Sequence, residues 1–130
     1  MAHEHPIQIY YEDTDHSGVV YHANYLKYFE RAREHMLGTA ELRRLWEEDG
    51  VGFVVYKAQL AYKKGAVFGD TLVIATHAQE SSPYCATFHQ RAGRGGGVLG
   101  AGGVGLVGAG GGGHRAGRHR SARRAMAAPA

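Results

Sequence analysis

The alternation of apolar and polar residues near the amino terminus predicts a short, half-buried β-strand. A period of two, which a strand shows, is formed where Ile7, Ile9 and Tyr11 alternate with Gln8, Tyr10 and Glu12. The strand should then end, because residues 13–18 are rich in Asp, Ser and Gly, which bond to their own backbone or tolerate positive φ. We therefore expect a turn at this point.

After the turn, the period changes to that of a helix. The apolar residues at spacings of four, three and four are Tyr25, Phe29, Ala32 and Met36. We expect this long helix to begin near His22 and to end at Gly38, since glycine is favoured just past a helix C-terminus. Thr39 is expected to cap a second, shorter helix that ends at Asp49-Gly50.

Three further segments have the pattern of strands. They cover Phe53 to Tyr62, Thr71 to Gln79, and Tyr84 to Arg91. The separators Gly69-Asp70 and Ser81-Ser82-Pro83 are short, so we expect consecutive strands to be antiparallel neighbours. One strand, one long helix and then several strands predict an α+β domain, with one sheet covered by one main helix.

A fifth strand can be traced from Gly97 to Val107, but its composition is poor for a strand. It contains five glycines from Gly97 to Gly105. Each should cost ~0.5–1 kcal/mol relative to Ala, about 2.5–5 kcal/mol in all. We therefore place the domain at residues 1–107, with 93–107 its weakest part, and expect a disordered Gly/Arg/Ala-rich tail over residues 108–130.

Charge divides the chain into two unlike parts. Residues 1–80 carry 8 Lys and Arg against 12 acidic residues, whereas residues 81–130 carry 7 Arg and no acid, giving +3 for the whole chain. The basic tail suggests contact with nucleic acid. However, no aromatic residue lies between its arginines to stack on bases, so we expect no nucleic-acid partner.

Other sequence features bear on the cellular location of the protein. The single cysteine, Cys85, cannot form an internal disulfide, and residues 1–11 lack the basic and apolar regions of a secretion signal. No apolar run reaches the 18 residues that a membrane span needs. We expect a soluble cytoplasmic protein without stable membrane insertion.

The residues that can carry chemistry lie in the turn. Asp13 and Asp15 precede a helix whose first N–H groups have no partner within the helix. Such N–H groups can stabilise an oxygen that becomes negative, while a carboxylate attacks a carbonyl or takes a proton from water. The alternative is that Asp13, Thr14 and Asp15 only close the turn and cap the helix.

These same residues resemble the signature of the 4-hydroxybenzoyl-CoA thioesterase family, most closely its YbgC-like branch of acyl-CoA thioesterases associated with the Tol-Pal system. The resemblance rests on the run Tyr10-Tyr-Glu-Asp-Thr-Asp15, the run Gly18-Val-Val-Tyr-His-Ala23, Tyr25, Glu30-Arg-Ala-Arg33, Phe53-Val-Val55, Lys57, Tyr62 and Asp70-Thr-Leu72. It fades after about Arg91 and covers some two thirds of the chain.

The resemblance implies a hotdog fold, in which an antiparallel sheet wraps one long helix and protomers pair so that active sites form at the interface. It implies that Asp15 is the catalytic carboxylate, acting as a nucleophile or on a water molecule. The backbone N–H of His22 and its neighbours would polarise the thioester carbonyl. The partners that it implies are an acyl-CoA substrate or an acyl carrier protein, and a homodimer or homotetramer.

Further residues are assigned by their chemistry and position. The His22 side chain is a candidate for proton transfer to the thiolate, or it only forms hydrogen bonds near the helix start. Tyr21 and Asn24 are expected to shape the pocket. Lys57, with Lys63, Lys64 and Arg91, is a candidate for the CoA phosphates, although such lysines are also common at solvated sheet edges.

Two residue groups are assigned no catalytic role. Glu30 and Arg33 are expected to form a pair at the helix surface or an interface. Asp13, Asp15, His16 and His22 lack a recognised metal-ligand spacing, so we predict no metal and no cofactor.

Three functions remain open: an active thioesterase for short-chain or aromatic acyl-CoA, a hotdog protein that binds acyl-CoA or acyl carrier protein without turnover, and an inactive chain. We hypothesise for the last case that residues from about Ala92 onward derive from a shifted reading frame, because Asp, Glu, Lys, Ile, Tyr and Phe all disappear there. The nucleotide sequence tests this: an alternative frame should encode an alternating apolar strand, and its absence excludes the hypothesis.

Overall fold

The computed structural model describes residues 2–82, 85–95 and 97–110. Its strands are β1 (His3–Gln8), β2 (Val51–Tyr62), β3 (Thr71–Ser82), β4 (Cys85–Arg94) and β5 (Gly97–Gly110). Its helices are α1 (Asn24–Leu37) and α2 (Thr39–Arg44), and α2 continues into a wider π turn over Leu45–Asp49. The predicted tail from residue 111 onward, and Tyr84 of the predicted fourth strand, lie outside the described residues.

The five strands form one antiparallel sheet in the order β1-β3-β4-β5-β2. Helix α1 packs across one face of this sheet, and its buried aromatic residues form the centre of the core. From α1 the core takes Tyr25, Tyr28, Phe29 and Ala32; from the strands it takes Ile7, Leu72, Ile74, Ala92 and Leu99. The predicted arrangement of an antiparallel sheet around one long helix, the hotdog fold, is confirmed.

The helix prediction needs small corrections. Helix α1 begins at Asn24, two residues after His22, and ends before Gly38 as expected. Met36 is only partly buried, whereas Leu37 next to it is buried. Thr39 is the first residue of α2 rather than its cap, because the capping position is Gly38, and no side chain caps this helix.

The predicted order of strands is half correct. Strands β3 and β4 are antiparallel neighbours, but β2 pairs with β5 and lies at the opposite edge from β1, so β2 and β3 are not neighbours. The chain between them, residues 63–70, crosses to the β1 side, where Gly69 donates its N–H to the Ile9 carbonyl over 3.0 Å. A connection of this length can cross the sheet, whereas a tight hairpin cannot.

The amino-terminal strand is shorter than its pattern predicts. Ile7 and Ile9 are buried, but β1 ends at Gln8, and Tyr11 lies exposed in a short 3₁₀ turn. The Tyr11 ring stacks on Phe68 with centroids 3.9 Å apart. Tyr11 therefore belongs to the turn and not to the core-facing side of the strand.

Strand β5 is continuous from Gly97 to Gly110 despite its glycines, because β4 and β2 form hydrogen-bonded ladders with it on both sides. Leu99, Val104 and Leu106 face the core and are buried. One glycine makes room for its neighbours: a Cβ at Gly102 would come within 2.8 Å of the Gln59 carbonyl oxygen and would overlap Leu60. The apolar residues that lie between these glycines therefore still pack in the core.

Arg33 is buried, contrary to the prediction of a surface or interface pair with Glu30. Its side chain is only 7% exposed, and Nη1 donates to Oε1 of Gln90 over 3.0 Å. Gln90 Nε2 in turn donates to the Phe29 carbonyl and to Thr76 Oγ1, over 2.9 and 3.0 Å. Burial lowers the pKa of Arg33. The hydrogen bond from the charged Arg33 contributes about 1.5–3 kcal/mol, and the two neutral bonds about 0.5–1.5 kcal/mol each, so the network ties α1 to β3 and β4.

In the part of the chain that the structure describes, neither helix has the length and apolar character to cross a lipid bilayer.

Candidate active site

The turn between β1 and α1 is closed by its own backbone. Asp15 donates its N–H to the Val19 carbonyl over 2.9 Å, and Gly18 donates back to the Asp15 carbonyl over 3.0 Å. The carboxylate of Asp13 accepts the Tyr10 N–H over 2.8 Å. The segment is thus a hydrogen-bonded turn that holds Asp15 at a fixed place ahead of the helix.

The turn is also attached to the connection between β2 and β3. Val20 donates its N–H to the Ala66 carbonyl over 2.8 Å, and Val19 forms a bridge with Val67. This approach requires glycine at position 65, because a Cβ there would lie 2.6 Å from Cγ1 of Val19. The backbone at Gly65 therefore packs directly against the Val19 side chain.

The Asp15 carboxylate is held by Ser17. The Ser17 N–H and hydroxyl donate to the same carboxylate oxygen, over 2.9 and 2.6 Å. These two bonds, the hydroxyl first, lower the pKa of Asp15, and the nearby His22 lowers the pKa further. Asp15 is consequently ionised at neutral pH. Its second oxygen, Oδ2, has no hydrogen bond within the described residues, so it can meet a ligand.

The start of α1 leaves two backbone donors free. Asn24, Tyr25 and Leu26 donate their N–H groups to carbonyls three residues earlier. The N–H groups of His22 and Ala23 have no hydrogen-bond partner in residues 2–82, 85–95 and 97–110. Ala23 occupies the capping position, and no side chain caps the helix. The alternative in which the Asp13–Asp15 segment caps this helix is therefore wrong, although the segment does close the turn.

A cleft of about 300 Å³ brings Asp15 and His22 together. It is lined by Asp15, Val19, Val20, His22, Tyr25, Tyr62, Lys63, Lys64 and Gly65. One wall is apolar and aromatic, while the two lysines give its rim a positive charge. Such a cleft suits a ligand with an uncharged reacting group and an anionic end.

The structure brings together some of the predicted site residues and not others. Asp15 and His22 both line the cleft. Tyr21, Asn24 and Lys57 are not among the residues that line it. Tyr21 is exposed with its ring 4.6 Å from that of His22, and Asn24 Nδ2 donates to the Asp13 carbonyl over 2.9 Å. Lys57 lies exposed on β2, opposite Gly105.

The sequence pattern gave Tyr62 no place in the site, only a position on a strand. Its hydroxyl donates to the His22 carbonyl over 2.9 Å, and its ring forms part of the cleft wall. Lys63 and Lys64 were candidates by charge alone, and both line the cleft rim. The sequence feature that could have indicated this part of the site is the end of a strand in an aromatic residue, two cations and a glycine, which are Tyr62, Lys63, Lys64 and Gly65.

Metal ligands do not converge in the site. Within the described ranges, His, Cys, Asp and Glu side chains form no group of three or more that could hold a metal ion. The side chains that line the cleft offer a carboxylate, an imidazole, two phenols and two ammonium groups.

An antiparallel sheet around one helix, with a carboxylate turn at the helix entrance, defines a hotdog-fold domain of the thioesterase type. Residues 10–100 match the thioesterase-like superfamily. Because this match covers more than half of the chain, the protein belongs to that superfamily.

Individual relatives agree with this assignment. The chain is 42% identical over 88 residues to the acyl-CoA thioesterase YbgC of Haemophilus influenzae, covering 66% of this chain and 65% of the relative. It is 39% identical over 87 residues to the acyl-CoA thioester hydrolase YbgC of Escherichia coli O157:H7, with the same coverage of 66% and 65%. The chain thus spans just under two thirds of the length of these relatives.

Solved structures have the same fold. A protein from Bartonella henselae described as a probable thioesterase superposes with a TM-score of 0.80 at 28% identity, covering 85% of this chain and 94% of that one. A hypothetical protein from Thermus thermophilus superposes with a TM-score of 0.79 at 29% identity, covering 93% and 95%.

Removing the Ser17 hydroxyl should raise the pKa of Asp15. Since the hydroxyl stabilises the ionised carboxylate, Ser17→Ala should make Asp15 take up its proton at a higher pH than in the unmodified protein. A titration of the Asp15 carboxyl carbon by ¹³C NMR measures this shift. His16→Ala is the matched control, because His16 is exposed and makes no hydrogen bond to the carboxylate. Equal titration midpoints in all three proteins would contradict the assigned cause.

Proposed function

We propose that this protein hydrolyses acyl-CoA thioesters of short-chain or aromatic acids to the free acid and CoA. The observation that carries the proposal is that an ionised Asp15 lines the same cleft as His22, the residue at the α1 entrance where backbone N–H groups are free. When the carbonyl oxygen of a thioester accepts hydrogen bonds from those N–H groups, its carbonyl carbon is presented to the Asp15 carboxylate. The names of the YbgC relatives support this choice of substrate.

The reaction has two routes that start from the same geometry. In the first, Asp15 attacks the carbonyl carbon, the carbon–sulfur bond breaks, and water then cleaves the mixed anhydride to release the acid. In the second, Asp15 takes a proton from a water molecule, whose oxygen attacks the carbonyl carbon directly. Both routes consume one water and yield one acid and one thiol. In both routes, the carbonyl oxygen becomes negative while it accepts hydrogen bonds from the N–H groups of His22 and Ala23.

The departing thiolate must gain a proton, and His22 is our candidate donor. Its side chain lines the cleft with Asp15, and imidazole exchanges protons near neutral pH. The alternative is that the His22 side chain only forms hydrogen bonds near the helix start. Tyr21 covers one side of the His22 ring and would restrict how the imidazole turns.

CoA phosphates would meet the lysines at the cleft rim. Lys63 and Lys64 lie beside the catalytic carboxylate, where they attract anions without neutralising Asp15 through an ion pair. Lys57 stays a candidate for a phosphate of a substrate held by a neighbouring subunit, since it lies outside the cleft of its own subunit. An acyl carrier protein could present its thioester to the same cleft.

The decisive experiment compares Asp15→Asn with the unmodified protein on a panel of acyl-CoA substrates. The amide keeps the shape but cannot attack or take a proton, so kcat should fall by about 10²- to 10⁴-fold. Release of free thiol, measured colorimetrically, gives the rate. Glu12→Gln is the matched control, because it makes the same chemical change at an exposed position in the same turn; it should keep full activity.

The outcomes of this experiment separate the candidate functions. Full activity in Asp15→Asn would refute the role of Asp15. Saturable acyl-CoA binding without thiol release by the unmodified protein would instead favour the non-catalytic binding function. A protein that shows no cooperative thermal transition would be the inactive chain of the third alternative.

We also propose that two copies pair along β2. This strand is a sheet edge, and Val54 and Val55 on it are 51% and 47% exposed. An open edge with apolar side chains is a template for another strand, and a second β2 in antiparallel orientation would cover both. The partner's cleft, which lies at the carboxyl end of its own β2, would then be near the amino-terminal half of this strand, and Lys57 would lie between the two clefts.

Light scattering after gel filtration tests the pairing. The expected mass is two or four times the chain mass of 14.1 kDa. Val55→Lys should shift the mass toward a single chain, because a charge at the centre of the pairing would lose its hydration. A single-chain mass for the unmodified protein would contradict the proposal.

A further inference from the structure

Tyr62 links the end of β2 to the entrance of α1. Its hydroxyl donates to the His22 carbonyl over 2.9 Å, across 40 residues of sequence. In the residues that the structure describes, this is the one side-chain hydrogen bond to the peptide groups between Tyr21 and Ala23. The conformation of the helix entrance thus depends on a residue from the opposite wall of the cleft.

The Tyr62 ring is held in place on two sides. It meets the ring of Tyr25 edge to face, with centroids 5.5 Å apart at 66°, and that of His22 with centroids 6.0 Å apart at 78°. Tyr25 is 3% exposed and belongs to the core, so it gives the Tyr62 ring a fixed support. The chain just after Tyr62 is fixed as well, since Lys63 donates its N–H to the Leu99 carbonyl over 2.8 Å.

The acceptor of this hydrogen bond belongs to the peptide group that carries the Ala23 N–H. A peptide group is planar, and a bond accepted by its carbonyl polarises the whole group and strengthens its N–H as a donor. The same carbonyl also accepts a hydrogen bond from the Tyr25 N–H, and this bond is longer, at 3.3 Å. Tyr62 is therefore the stronger restraint on the orientation of the His22–Ala23 peptide.

The hydroxyl keeps its proton under working conditions. Burial raises the pKa of Tyr62 above its ordinary value, which already lies well above neutrality. In contrast, the pKa of Asp15 is lowered. The donor on one wall and the ionised carboxylate on the other are thus present together over a wide range of pH.

We propose that Tyr62 is a positioning residue for thioester hydrolysis: its hydroxyl holds the His22–Ala23 peptide so that the free N–H groups of the helix entrance meet the thioester oxygen. The inference rests on the proposed function. Tyr62 acts through the backbone of the helix entrance and takes no part in bond making. Its effect should be largest when the oxygen carries most negative charge, which is in the transition state.

The test is Tyr62→Phe, which keeps the ring contacts and removes only the hydroxyl. We expect kcat for thiol release to fall about 3- to 10-fold, the size expected for one neutral hydrogen bond, while KM stays within about twofold. The backbone amide resonances of His22 and Ala23 should shift in ¹H–¹⁵N NMR spectra. The control is Tyr56→Phe on the same strand, since the Tyr56 hydroxyl makes no hydrogen bond within the described residues and lies outside the cleft.

Each result has one interpretation. An unmodified protein that releases no thiol contradicts the proposed function itself, and the NMR shifts then decide whether Tyr62 still fixes the helix entrance. An active protein in which Tyr62→Phe keeps its kcat overturns the inference. A rise in KM at unchanged kcat also overturns it, because Tyr62 would then bind substrate directly. Equal melting temperatures for Tyr62→Phe and Tyr56→Phe exclude a loss of folding as the cause of a lower kcat.

Discussion

The candidate site depends on the hydrogen bond between the Val20 N–H and the Ala66 carbonyl, 2.8 Å long, which joins the turn that carries Asp15 to the connection between β2 and β3. The bridge between Val19 and Val67 fastens the same two segments one residue away on each. With these contacts, the carboxylate and the wall formed by Tyr62, Lys63 and Lys64 face each other across one cleft. The bond is possible because Gly65 lets the two segments approach more closely than any side chain would allow.

The sequence predicted those features that depend on local periodicity. The spacing of Tyr25, Phe29 and Ala32 located α1 and its buried face, and the motif around Asp15 located the turn ahead of it. A period of two also found the strands, because alternation reflects which side of each strand meets the core. None of these signals contains information about the order of strands in the sheet. The pairing of β2 with β5 therefore could not be predicted from the pattern.

Two side chains show why contacts between distant segments could not be predicted from the pattern either. Arg33 has the charge of a surface residue, yet it is buried because Gln90, 57 residues later, supplies an acceptor within the core. Tyr62 reads as one apolar position among several on β2, yet its hydroxyl reaches a carbonyl 40 residues earlier. In both cases the deciding contact is a hydrogen bond between distant segments. Residue type and spacing do not report such contacts, whereas the resemblance to a family is what proposed Asp15 as the catalytic carboxylate.

The position of β2 has a consequence for biosynthesis. Its neighbour in the sheet is β5, so β2 leaves the ribosome some 35 residues before the strand that pairs with it. During that interval both of its edges are open and Val54 and Val55 are uncovered, a state in which nascent chains associate with one another or with chaperones. A glycine-rich β5 would prolong this exposure, because each of its glycines loses more conformational entropy on pairing than another residue would. The strand that closes the sheet thus also sets how long the growing polypeptide stays vulnerable to aggregation.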